Sequence, residues 1–87
     1  MQVPSNARTE STRALLRAAF ADELRARMPR IEARTDLEAV RRDVHTLASS
    51  AWVVDEPEIA RVARAAEDDL TDDHLDALLV LLRAWAP

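Results

Sequence analysis

The chain has no glycine among its 87 residues. Glycine is the usual residue for hairpin turns, phosphate-cradling loops and left-handed backbone, so the commonest means of making all three is missing. Alanine, leucine and arginine dominate instead. An all-helical fold is therefore the expectation before any pattern is counted.

The apolar spacing agrees. Between Thr9 and about Ala33, Leu16, Phe20, Leu24, Met28 and Ile31 recur at helical intervals. Pro29 interrupts that series, removing a backbone hydrogen bond and introducing a bend. One long, kinked first helix is expected, with a break at Pro29 as the alternative. Residues 1–8, polar and containing a proline, read as a loose tail. Thr35-Asp36-Leu37-Glu38 has the form of a capping box, with threonine as N-cap and glutamate three residues on. The second helix then runs to about Val54 and turns Val40, Val44, Leu47, Ala51 and Val54 inward. Asp55-Glu56-Pro57 stops one helix and starts the next, since proline suits a first helical turn and acids favour its positive end. Ile59, Val62, Ala63, Ala66 and Leu70 mark the third helix. Thr71 caps a fourth that begins with Asp72 and Asp73 and turns Leu75, Leu78, Leu79, Leu82 and Trp85 inward. Short connections between four helices predict an all-α, antiparallel four-helix bundle in up-down-up-down order, one domain over residues 9–87. A chain of this size buries only about 60% of its unfolded surface, which leaves room for a single core.

Composition narrows the function. Without cysteine there is no disulfide and no thiolate metal site, a usage that suits a cytoplasmic location. No run approaches the roughly 18 apolar residues of a membrane span, and Met1–Asn6 lacks the apolar core of a signal peptide. A formal charge of -4 argues against nucleic acid as a partner. Six of the twelve arginines fall between Arg25 and Arg42, whereas Glu67, Asp68, Asp69, Asp72 and Asp73 crowd the second half. These are solvated faces, or else a dipolar surface that selects an oppositely charged partner.

Few residues could do chemistry. The two histidines stand on different helices, and no H-E-x-x-H spacing is present, so no metal site is expected. Ser49 lies one turn from His45 but lacks a third orienting element or an oxyanion hole, which argues against a serine nucleophile. His74, after two aspartates, reads as a surface residue. His45 differs in its setting. It is rotated about 100° from Val44, off the apolar stripe, with Arg41, Arg42, Ala48 and Ser49 as its lateral neighbours. Imidazole near neutral pH is a nucleophile with one free ring nitrogen. The arginines could pair with a phosphoryl group attached to it, and the small side chains Ala48 and Ser49 would let a partner approach. Trp52 shares that face, as a half-buried edge of the core or as an apolar anchor for a partner.

The run from Leu15 to Leu70 resembles a histidine phosphotransfer domain, the four-helix carrier of bacterial two-component phosphorelays. The family signature on the second helix is H-x-L-K-G-[SA]-A; this chain reads His45-Thr46-Leu47-Ala48-Ser49-Ser50-Ala51. The later run Ala60-Arg61-Val62-Ala63-Arg64-Ala65-Ala66-Glu67 is similar to the family's alanine-rich third helix. The segment from Leu16 to Arg42, with Phe20, a proline and Asp36, is similar to its first helix and connector.

The resemblance implies that His45 is a phosphoacceptor without kinase activity of its own, so the chain is not expected to be an enzyme. Its partners would be a response-regulator receiver domain or a histidine kinase. Magnesium would sit on the receiver, and the chain itself would bind no cofactor. Glu67 falls on the family glutamate that orients the imidazole in some members, while Arg41 and Arg42 are candidates to neighbour the phosphoryl group. Ala48, Ser49 and Trp52 are the expected docking surface. The family lysine three residues after the histidine is Ala48 here, the following glycine is Ser49, and Asp55-Glu56-Pro57 stands where a loop glycine is usual. The reading is a monomeric phosphorelay carrier. The alternatives are an adaptor of the same fold that binds a receiver or kinase without being phosphorylated, and a bundle that self-associates through the Trp52 face.

Overall fold

The computed structural model describes residues 5–85, with side chains from residue 10 onward. It consists of four helices, α1 (Ser5–Ala33), α2 (Leu37–Val53), α3 (Pro57–Asp68) and α4 (Asp72–Trp85), with no strand among the described residues. Each connection is three residues long. α1 packs on α2 and α4, and α3 packs on the same two, so the helices form a ring around one core.

The apolar stripes meet at the centre. Phe20, Leu24 and Ile31 of α1, Val40, Val44 and Leu47 of α2, and Leu75, Leu78 and Leu82 of α4 are all buried. α3 contributes Ile59 and, for the rest, alanines: Ala60, Ala63 and Ala66. Phe20 also meets Trp85 edge-on, with ring centroids 4.9 Å apart, and Arg17 lies over the other ring. Trp85 thus closes one end of the core, as its position in the stripe suggests.

α1 differs from its expected form at its start. It begins at Ser5 rather than Thr9, so residues 5–8 of the supposed tail are helical, while residues 1–4 lie outside the described residues. Polar residues do not prevent a helix; they only leave it without a face to bury. Residues 10–19 are accordingly all exposed, Leu15 at 72%, and the molecule measures 55 × 21 × 20 Å. As expected of one long first helix, α1 continues through Pro29 without a break. An interior proline costs about 3 kcal/mol, and two arginines on either side of it tie α1 to α2.

That tie is Asp43. It lies at the edge of the apolar stripe of α2 and is only 3% exposed. Arg30 grips it in a two-pronged fork, Nε to Oδ2 at 2.8 Å and Nη2 to Oδ1 at 2.7 Å, and Arg27 Nη1 adds a third bond at 2.7 Å. The hydrogen bonds from Arg30 and then Arg27 hold the Asp43 carboxyl below the usual carboxylate range, against the opposing effect of its burial.

The caps are made by short polar side chains. Asp36, not Thr35, is the N-cap of α2, accepting from the Ala39 N–H at 3.2 Å. A carboxylate both receives that bond and meets the positive helix end, which a hydroxyl one residue earlier does not. Thr71 caps α4 as its position suggests, its Oγ1 accepting from the His74 N–H at 3.2 Å. Pro57 opens α3 at its first positions.

Lack of glycine did not remove left-handed backbone. Arg34 (φ 53°) and Asp55 (φ 61°) adopt it where α1 and α2 end. Asp55 sits in a Schellman motif, with Glu56 N–H bonded to Ala51 O at 2.8 Å and Asp55 N–H to Trp52 O at 3.2 Å. Arg34 is held in place by its side chain, which pairs with Asp72 at 2.7 Å and with Asp76, joining α1 to the start of α4. Asp55 makes no ion pair among the described residues, so an Asp55→Gly substitution is expected to stabilise the fold by about 0.5–1 kcal/mol. Urea denaturation would show a higher midpoint; a lower one would mean that the aspartate side chain holds the turn.

Candidate functional site: an exposed histidine on the α2–α3 face

α2 carries Arg41, His45, Ser49 and Trp52 at three- and four-residue spacing, on a flank beside the buried stripe. α3 runs along that flank. The seam between the two is lined by alanine: Ala48 and Ala51 from α2, Ala60, Ala63 and Ala66 from α3, all fully or almost fully buried. Side chains this small let two helices approach closely. The close approach is what brings a residue of α3 to the imidazole.

That residue is Glu67. His45 Nδ1 lies 2.7 Å from Glu67 Oε2 and 3.1 Å from Oε1. The His45 side chain is 66% exposed, while that of Glu67 is 25% exposed. An ionised carboxylate can only accept, so Nδ1 carries the hydrogen of this bond, and whenever the ring is neutral its free lone pair is on Nε2. Nε2 has no hydrogen-bond partner among the described residues.

Arg41 fixes the same spot from the other side. Its Nη1 donates to the backbone carbonyl of Glu67. Glu67 is in the last turn of α3, where carbonyls lack intrahelical partners and a cation meets the negative helix end. α2 therefore holds Glu67 twice, by its carboxylate through His45 and by its carbonyl through Arg41. Arg42 has a different partner, the exposed Glu38 one turn back at 3.7 Å.

Ala48 departs from its expected place. Its helical position suggests an open docking surface, but it is 1% exposed and belongs to the alanine seam. Helical position put it beside His45; the approach of α3 then covered it. Ser49 remains exposed, and so does Trp52 at 58%. Trp52 edges an open groove of about 470 Å³ whose opposite wall is α3, including Pro57, Arg61, Arg64 and Asp68.

His74 is not brought to His45. It sits at the start of α4, where its Nδ1 donates to the Asp69 carbonyl at 2.6 Å. Among the described residues no group of three or more histidine, aspartate or glutamate side chains could hold a metal ion. No helix among them is long and apolar enough to cross a membrane.

Two residues escaped the sequence reading. Asp43 stands three residues after Val40 and four before Leu47, both core residues, and a carboxylate at such a place needs a cation; Arg27 and Arg30, one turn apart, were the available pair. Arg64 is exposed on the same side of α3 as Glu67, and nothing in its local sequence distinguishes it from Arg61.

Comparison with known proteins adds one match. Residues 15–86 fit the family model described as Hpt domain. No curated protein and no solved structure matches the chain. The family match spans almost all of the described residues, and the four helices with no strand agree with it. The chain belongs to the Hpt domain family, the histidine phosphotransfer domains of phosphorelays, whose members carry phosphoryl groups between kinases and receiver domains rather than acting as enzymes.

Proposed function

We propose that this chain is a phosphorelay carrier in which His45 Nε2 accepts a phosphoryl group and exchanges it with a receiver aspartate or a histidine kinase. One observation carries the reading: an exposed imidazole is bound through Nδ1 to Glu67, which leaves the nucleophilic lone pair on Nε2. That lone pair attacks phosphorus and forms the N–P bond. The bond from phosphorus to the donor oxygen breaks, and the leaving carboxylate or nucleotide oxygen takes its electron pair. The ring is then cationic, with its Nδ1–H still on Glu67, whose negative charge compensates it. Onward transfer reverses the step: a receiver carboxylate attacks phosphorus, and the N–P pair returns to Nε2.

Magnesium and the acidic pocket belong to the receiver in this reading, and the chain holds no cofactor of its own. Ser49 and Trp52 form the docking face. The three-residue connections support an antiparallel up-down-up-down order, with α1 bent at Pro29. A monomeric, cytoplasmic carrier fits this role.

The test is exposure of the purified chain to phosphoramidate, a small histidine phosphodonor, followed by peptide mass spectrometry. Acid-labile phosphate is expected on His45. His74, whose Nδ1 is bonded within the chain, should take up far less. An unmodified His45 would overturn the proposal. The adaptor reading, favoured by the absence of the family lysine at buried Ala48, would then lead, and it expects receiver binding without phosphoryl uptake.

A further inference from the structure

A phosphoryl group on His45 brings about two negative charges to the α2–α3 face. A cation must meet them if the adduct is to form readily and persist. Position 48 cannot supply it, because Ala48 is buried in the seam. The two arginines of α2 beside His45 are engaged: Arg41 donates to the Glu67 carbonyl and Arg42 pairs with Glu38.

α3 offers another. Arg64 is three residues before Glu67, about 4.5 Å along the helix axis, and on the same side of α3. It is exposed and makes no ion pair or side-chain hydrogen bond among the described residues. It also lines the groove whose opposite edge is Trp52, the residue two turns beyond His45 on α2. Arg64 thus borders the face between the level of His45 and that of Trp52. The one carboxylate lining that groove, Asp68, is not paired with it.

We infer that Arg64 is the phosphoryl-contacting cation of this carrier, reaching across the α2–α3 seam to the phosphoryl oxygens on His45 Nε2. The inference rests on the carrier reading above. A guanidinium suits the task, because its planar fork can give two parallel hydrogen bonds to one phosphoryl group, whereas an ammonium acts as a point charge. The helix that orients the imidazole through Glu67 would then also supply the countercharge. In that way the chain does without the lysine that its packed seam excludes.

The experiment follows phosphoramidate uptake at His45 in the full chain and in the Arg64→Ala, Arg64→Lys and Arg13→Ala variants. In each case the His45 lone pair displaces ammonia from phosphorus, so no partner protein enters the measurement. Arg64→Ala should slow uptake by about tenfold, the scale of one lost charge-assisted contact, and Arg64→Lys should recover part of it. Arg13→Ala removes the same charge from exposed α1 and should stay close to the parent chain. Phosphorus NMR of the phosphorylated proteins adds a readout that a merely structural arginine would not move. Without the guanidinium beside it, the phosphoryl group should titrate at higher pH in Arg64→Ala than in the parent. Equal uptake and an unchanged phosphorus titration in Arg64→Ala would overturn the inference while leaving His45 as carrier. Failure of the parent chain to label at His45 would remove both.

Discussion

A Glu67→Ala variant is expected to fold normally and to take up phosphoryl groups about 10- to 100-fold more slowly, by analogy with the loss when the group orienting a metal-bound histidine is removed. The reason is the 2.7 Å contact to His45 Nδ1. Without it the ring can rotate, and the proton is no longer confined to Nδ1, so part of the population presents Nε2–H, which is not nucleophilic. The developing charge on the ring also loses its compensating carboxylate. Glu67→Gln should fall between, since the amide oxygen can still accept from Nδ1–H but carries no charge. His45→Gln should abolish uptake with helix content unchanged by circular dichroism, because the side chain is largely exposed. Uptake by Glu67→Ala at the parent rate would mean that the histidine–glutamate pair is only a structural link. Labelling that survives in His45→Gln would move the acceptor elsewhere.

The second large effect concerns stability. Asp43→Ala removes the carboxylate that joins Arg27 and Arg30 to α2. It should cost roughly 2–3 kcal/mol at neutral pH, the value of charge-assisted hydrogen bonds to a buried acid whose cations can partly rehydrate. For a domain of this size that corresponds to about 10–20 °C in Tm. The loss should depend on pH in a definite direction. Asp43 has its carboxyl depressed, first by the Arg30 hydrogen bonds and then by Arg27. Its contribution is therefore complete above the ordinary carboxylate pKa of about 4 and is lost as pH falls through the lower value of the folded state. Thermal melts of the two proteins should accordingly lie far apart at pH 7 and converge in strong acid. A gap of the same size throughout would show that the alanine acts through packing and not through the lost ion pairs.

These two substitutions mark the boundary between what can be read along the chain and what cannot. His45 stood out because it is one helical step off a regular apolar stripe, and that step is a property of consecutive residues. Asp43 did not stand out, because its burial depends on α1 lying against α2 with Arg27 and Arg30 at the matching height. Capping was legible to within one residue: Thr71 caps α4, but Asp36 takes the place foreseen for Thr35. Neighbouring oxygens compete for the same helix end, and backbone geometry decides between them.

Ala48 and Arg64 show the limit most clearly. Periodicity assigns Ala48 to the flank that carries His45, but it does not say which part of that flank another helix will cover. α3 covers Ala48 and leaves His45, Ser49 and Trp52 open. The same packing brings Glu67 to His45 and sets Arg64 on the groove edged by Trp52, although both are more than 15 positions away from His45 in the chain. By itself, the sequence determined the four helices, most of their ends to within one residue and most of the residues each buries, because hydrogen bonding and amphipathic periodicity act over three or four residues. Only the tertiary structure decided which polar groups surround the imidazole. That depends on how closely two alanine-lined helices pack, a property of the pair and not of either helix alone.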